Sequence, residues 1–180
     1  EAGTLLLSRA LASLRKRPTV LLAASAVGYY GDRGSERLSE SSGPGDGFLA
    51  DVCRKWEAST YPVSALGIRT VHLRSGQVLS PAGGLLGAML LPFRLGLGGR
   101  LGSGRQYMSW IHLDDTIGMI LHALTDAGLR GPLNVTAPTP VPNAAFTDVL
   151  GRVVSRPTLI PAPSLAIRAV LGEMGEELLL

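Results

Sequence analysis

Thr19-Val20-Leu21-Leu22-Ala23-Ala24 is an unbroken apolar run that leads into Ser25-Ala26-Val27-Gly28-Tyr29-Tyr30-Gly31. A run without polar alternation is typical of a parallel strand buried on both faces. Pro18 closes the preceding pattern, in which Leu5, Leu6, Ala10 and Leu14 recur at helical spacing over residues 4–16. Arg15-Lys16-Arg17 then reads as a cationic helix end facing the negative pole of the dipole. Behind the strand, a polar, glycine-rich stretch runs from Gly28 to Gly47. Loops of that size are often functional.

Working outward, residues 48–60 predict a helix with Phe48, Val52 and Trp56 on one apolar face. Ile68 to Leu73 predicts a second strand. Further helices are expected near 85–95, 114–124 and 143–154, and beyond Ser164, with strands at 106–111, 133–135 and 158–160. Alternation of this kind implies a layered α/β fold. The first residues, Glu1-Ala2-Gly3-Thr4, open within a helical pattern, and Leu178-Leu179-Leu180 closes as abruptly. The chain therefore reads as part of a longer protein.

Composition narrows the classes. Hydrophobic residues at 46% supply a sizeable core, and 17% charged residues argue against disorder. The net charge of +3 is scattered, and no basic stripe alternates with aromatics, which argues against a nucleic-acid ligand. Leu85 to Phe93 is too short for a membrane span. A single cysteine, Cys53, rules out an intrachain disulfide and fits the cytoplasm. On a helix, Cys53 reads as a small buried hydrophobe. His112 with Asp114 and Asp115 lacks the spacing of a third metal ligand, so no metal is expected, and Asp114 reads as a helix N-cap. His72 and His122 read as structural.

Five stretches in order carry a resemblance: Ala23 to Gly31; Arg54-Lys55-Trp56-Glu57-Ala58; Val71-His72-Leu73-Arg74-Ser75-Gly76-Gln77-Val78-Leu79; Leu91-Pro92-Phe93-Arg94-Leu95-Gly96-Leu97-Gly98-Gly99; and Trp110-Ile111-His112-Leu113-Asp114-Asp115. Together they resemble the extended short-chain dehydrogenase/reductase superfamily, and within it the "epimerase family protein" branch. The resemblance implies the C-terminal part of a doubly wound Rossmann-type parallel sheet over residues 1–79. A smaller substrate lobe would occupy 80–180, with some elements returning to the sheet. It also implies a dinucleotide, NADP(H) with NAD(H) as the other choice, at the C-terminal ends of the strands.

The glycine-rich turn that holds a pyrophosphate is expected upstream of Glu1. Glycines 96, 98, 99, 102 and 104 do not compose one, because the third glycine position falls on Leu101 or Tyr107. The residues that the resemblance places at the dinucleotide are Ala24, Ser25, Arg74, Ser75, Gly76 and Val78. Phe48, Arg94 and Trp110 are candidate contacts for a small-molecule substrate. Arg94 and Arg105 could meet an anionic substrate, although a lone arginine is more often solvated surface, and Phe48 also reads as core.

In the superfamily a serine and a tyrosine meet the reacting oxygen, and a lysine four residues after the tyrosine tunes it. Ser25 matches the serine. The tyrosine–lysine pair is absent, since Tyr29, Tyr30, Tyr61 and Tyr107 are followed four residues later by Arg33, Gly34, Ala65 and Ile111. Tyr29 and Tyr30 are the remaining candidate acids, although neither has a cationic neighbour in sequence. Two functions stay open. One is an NAD(P)-dependent oxidoreductase or epimerase, for which this chain alone lacks part of the cofactor site. The other is a non-catalytic NADP(H)-binding or sensing protein. Substrate and oligomeric state are not legible.

Overall fold

The computed structural model describes residues 2–159 and Pro161 of the 180. In chain order the elements are α1 (Ala2–Ser13), β1 (Val20–Ala26), a 3-10 turn (Val27–Tyr30), α2 (Phe48–Ala58), α3 (Tyr61–Ser64), β2 (Arg69–Ser75) and β3 (Gln77–Leu79). They continue with α4 (Gly84–Arg94), β4 (Tyr107–Met108), β5 (Trp110–His112), α5 (Leu113–Thr125), β6 (Gly131–Val135), β7 (Val141–Pro142) and α6 (Asn143–Val153). The chain divides into two compact units, Glu1–Gly76 with Asp114–Thr136 and Gln77–Leu113 with Ala137–Leu180.

The first unit is an α/β layer built on a parallel sheet of order β1-β2-β6. The register aligns Ser25 with Arg74 and Arg74 with Asn134. Ala23, Val71 and Val135 are buried in it, the last two completely. Strand alternation turns His72 and Arg74 toward α2 and α3. Arg69, of opposite parity, reaches the C-terminal carbonyls of α5 instead. Helices therefore serve both faces of the sheet, as in a doubly wound fold.

The second unit carries two small sheets, β3 with β5 in parallel and β4 with β7 antiparallel. Its core holds Leu79, Phe93, Met108, Ile111 and Leu150. Asn143, 1% exposed, ties it together. The Asn143 Oδ1 accepts from the Leu101 backbone N–H at 2.8 Å, and its own N–H donates to Gln106 O at 2.9 Å. No helix of the described residues is long and apolar enough to cross a membrane.

Several local expectations are revised. Helix α1 ends at Ser13, where the Ser13 hydroxyl donates back to Ala10 O, so Arg15-Lys16-Arg17 lies beyond its last turn. Its buried residue is Ser8, while Leu6 and Leu14 are exposed. Helix α2 stops at Ala58 because the Ser59 and Thr60 hydroxyls bond back to Lys55 O and Glu57 O, and Pro62 then opens α3. The strand expected over 106–111 breaks at Ser109, because its two halves pair with different partners. Helix α5 begins at Leu113, which puts Asp114 and Asp115 inside its first turn. Thr158 and Leu159 form no strand. Ile160 and the helix expected from Ser164 lie outside the described residues.

The long loop after β1 is fastened at both ends. Gly31 adopts φ +63°, and a Cβ on Gly45 would stand 1.9 Å from Tyr30 O, so only glycine fits there. Gly45 N–H donates to Tyr29 O at 3.0 Å. Midway, the Glu40 carboxylate accepts the Asn134 backbone N–H at 2.9 Å.

Candidate functional site

The buried face of α2 is not the apolar stripe of Phe48, Val52 and Trp56 expected of it. Phe48 is 57% exposed, and the residues turned inward are Ala50, Cys53 and Glu57. Small side chains at the first two positions let the helix lie close to the end of β1. Glu57, one turn after Cys53, then meets the strand ends.

Glu57 is the hub of a polar cluster at the C-terminal end of the first unit's sheet. Its Oε1 accepts from Ser25 Oγ at 2.7 Å and from Arg74 Nε at 2.9 Å, and its Oε2 accepts from Arg74 Nη2 at 2.9 Å. Arg74 thus grips the carboxylate with a two-pronged fork. Its remaining amino group, Nη1, donates to Tyr30 Oη at 3.0 Å, and Tyr30 Oη donates to Asn134 Oδ1 at 2.6 Å. The face of the guanidinium lies 3.5 Å from the centroid of the Tyr29 ring, a cation–π stack. Tyr29 and Tyr30 meet edge to face, at 5.4 Å between centroids.

Burial makes this geometry consequential. Arg74 is 3% exposed, Tyr30 3% and Ser25 5%. Burial alone would raise the Glu57 pKa, but the hydrogen bonds from Arg74 and Ser25 outweigh it and hold the carboxyl below its ordinary range. Burial would likewise lower the Arg74 pKa, and the bonds to Glu57 and Tyr30 reverse that, so the guanidinium stays charged.

An ionised carboxylate only accepts hydrogen bonds, so the single proton of Ser25 points at Glu57. The Tyr30 proton is likewise spent on Asn134, because Arg74 occupies the acceptor side of its oxygen. The Tyr29 hydroxyl is the one in this cluster with no hydrogen-bond partner among the described residues.

Behind the cluster, Thr60 Oγ1 and His72 Nε2 lie 2.9 Å apart. Burial lowers the His72 pKa, which keeps the ring neutral beside Arg74. Cys53 is 2% exposed, and burial pushes its thiol up. It is the inert apolar filler that its position suggested.

The candidate residues thus divide. Ser25, Tyr29, Tyr30 and Arg74 converge. Arg74 supplies the cationic neighbour that sequence spacing did not show for the tyrosines. Its guanidinium is spent on Glu57, Tyr30 and Tyr29, so it is not a free anion site. Ala24 is exposed, its side chain on the opposite sheet face from Ser25. Ser75 and Gly76 end β2, where Gly76 N–H donates to Val135 O at 3.1 Å.

In the second unit Val78 pairs with Ile111. Trp110 donates its indole N–H to Thr139 O at 3.2 Å, and Arg94 O accepts from Arg156 Nε at 2.9 Å. Sequence reasoning missed Glu57, Asn134 and Thr60. A carboxylate four residues after a cysteine, on the small-residue face of a helix, was the signal available for Glu57.

No family profile matches the chain. Individual proteins do. An epimerase family protein of Mycobacterium bovis is 51% identical over 160 residues, which span 89% of this chain and 53% of that protein. The crystal structure of the human epimerase family protein SDR39U1 (isoform 2) with NADPH superposes with a TM-score of 0.93 at 38% identity, over 99% of this chain and 61% of that one. The nucleoside-diphosphate sugar epimerase of Corynebacterium glutamicum superposes with a TM-score of 0.76 at 37% identity, over 97% and 40%. The chain therefore spans about half the length of these curated relatives.

Proposed function

This chain belongs to the epimerase family proteins of the extended short-chain dehydrogenase/reductase superfamily, and we propose that the intact protein binds NADP(H) and acts as an oxidoreductase or epimerase on a small polar or nucleotide-linked substrate. The observation that carries this reading is the register Ser25–Arg74–Asn134 at the ends of three parallel strands, with one uncommitted phenol, Tyr29, beside it. The likeness to a human relative crystallised with NADPH supports the choice of dinucleotide.

The residues present fit the nicotinamide half of such a cofactor. We assign that half to the strand ends, which stand in level register: Ala24 and Ser25 on β1, Arg74 and Ser75 at the end of β2 and Gly76 just after it, with Val78 following in the chain. The described residues contain no glycine-rich strand–turn–helix to cradle phosphates. The bound dinucleotide would supply or take up a hydride. Tyr29 would exchange the proton at the substrate oxygen, because its hydroxyl is the uncommitted one. Ser25 would present lone pairs, since its proton is held by Glu57. Phe48, exposed at the start of α2, is a proposed substrate contact, and Arg94 and Trp110 carry the same role on their own unit. The single cysteine fits a reducing compartment such as the cytoplasm.

A second reading, an NADP(H)-binding or sensing protein with little turnover, draws support from the same hydroxyls. Ser25 and Tyr30 both have their protons engaged inside the protein, and no lysine follows a tyrosine at four residues. The test is an NADPH titration on this chain and on a form extended to the length of its relatives, followed by NADPH turnover with a panel of carbonyl compounds. The extended form should bind. Turnover that falls at least tenfold in Tyr29→Phe supports the enzyme, whereas tight binding with no turnover supports the sensor. No binding of NADPH or NADH by the extended form overturns both.

A further inference from the structure

The proposed chemistry uses Glu57 only to hold the Ser25 proton, yet its carboxylate joins Ser25 to Arg74, the side chain that touches both tyrosines. It lies on a helix, and each of its links leads toward a strand end. Through Ser25 it decides which way a hydroxyl presents itself. Through Nε and Nη2 it fixes the plane of Arg74. That plane in turn lies against the Tyr29 ring at 3.5 Å, and its third edge holds Tyr30. A guanidinium gripped on two edges cannot rotate about its own axis, so a ring stacked on it inherits its orientation. A lone carboxylate placed merely to neutralise a buried arginine would not also need the serine proton.

We propose that Glu57 is the positioning residue of this site: its carboxylate locks Arg74 so that the guanidinium sets the Tyr29 ring, and it turns the Ser25 proton inward so that Ser25 faces a ligand as a hydrogen-bond acceptor. A ligand group meeting Ser25 is then a donor, such as an alcohol hydroxyl or a carboxamide NH2. The inference deepens the reading of the site given above and rests on it for the identity of the ligand, but the setting of Tyr29 is a property of the protein alone.

The experiment incorporates 3-fluorotyrosine into the extended protein at its tyrosines, four of which lie in this chain. The Tyr29 fluorine resonance is assigned by its loss in Tyr29→Phe. Glu57→Gln keeps size and removes the charge. Arg74→Lys keeps the charge and the ion pair but has neither the fork nor the plane, so it serves if Glu57→Gln does not fold. The expected result is a shifted or broadened Tyr29 resonance in each folded variant without any ligand, with NADPH affinity reduced about tenfold. In a Tyr29→Ala background Glu57→Gln should then cost less affinity than in the unmutated protein, the remaining loss passing through Ser25.

An unmoved Tyr29 resonance in the folded variants overturns the positioning role. A moved resonance with unchanged NADPH affinity overturns its functional half. If the unmutated extended protein fails to bind NADPH while the resonance still moves in the variants, the dinucleotide reading falls and the Glu57 to Tyr29 linkage stands.

Discussion

Strand β2 carries an arginine at each end, and the two do different work. Arg69, half-buried at its start, donates to three neutral carbonyls: Nη1 to Ala123 O and Leu129 O, and Nη2 to Leu124 O. It closes the C-terminal end of α5, where a cation meets the negative pole of the helix dipole. Arg74, at the other end, is buried and holds a carboxylate, a phenol oxygen and an aromatic face. The first could be replaced by water. The second could not, because Glu57 would be left as a buried anion without its cation. Architecture accounts for Arg69. A buried ion pair adds little net stability over apolar packing, so its presence at the strand ends is better explained by what it orients.

The largest effect that separates the two is loss of Arg74. Arg74→Met should destabilise the first unit by about 3–5 kcal/mol, because Glu57 is left buried and unpaired. Urea unfolding measures it. The double variant Arg74→Met/Glu57→Leu should recover most of that loss while still failing to hold Tyr29. If the double variant is as unstable as the single, the pair is architectural after all and the contrast with Arg69 collapses.

Next comes Arg69→Met, which should cost only about 1–2 kcal/mol, since the freed carbonyls can turn to water. A loss as large as that of Arg74→Met would erase the distinction.

The smallest effect is in pH. His72 has its pKa lowered from 6.5, and Glu57 from 4.5. For both groups the unfolded chain binds protons more readily, so stability is full above the unfolded value and falls as pH drops toward the folded one. Thermal unfolding should therefore be level above about pH 6.5, decline modestly below it as His72 is forced to charge beside Arg74, and decline further below about pH 4.5 as Glu57 protonates. His72→Gln should remove the first decline and leave the second. A first decline that persists in His72→Gln would assign it elsewhere.

How much of this was legible beforehand follows from the range of the interactions. The run from Thr19 to Ala24 and the helix–strand alternation are local patterns, and they led directly to a parallel α/β sheet. Ser25, Tyr29, Tyr30 and Arg74 were found because they sit in recognisable stretches. Glu57 was missed because a helical glutamate turns inward only when a distant partner compensates it, here Arg74, separated by 17 residues. The face of α2 that carries Glu57 also buries Ala50 and Cys53, while Phe48 is left in solvent. Asn134 was invisible for the same reason, since its side chain is satisfied by a tyrosine 104 residues earlier.

The clasped loop after β1 offers a practical handle. Its ends are fixed where Gly45 presses on Tyr30, and Glu40 pins its middle to Asn134, so the stretch between Asp32 and Arg37 is the part that carries neither attachment. A small fluorescent reporter spliced there would be tethered, through Tyr30 and Asn134, to the hydrogen bonds of the strand ends.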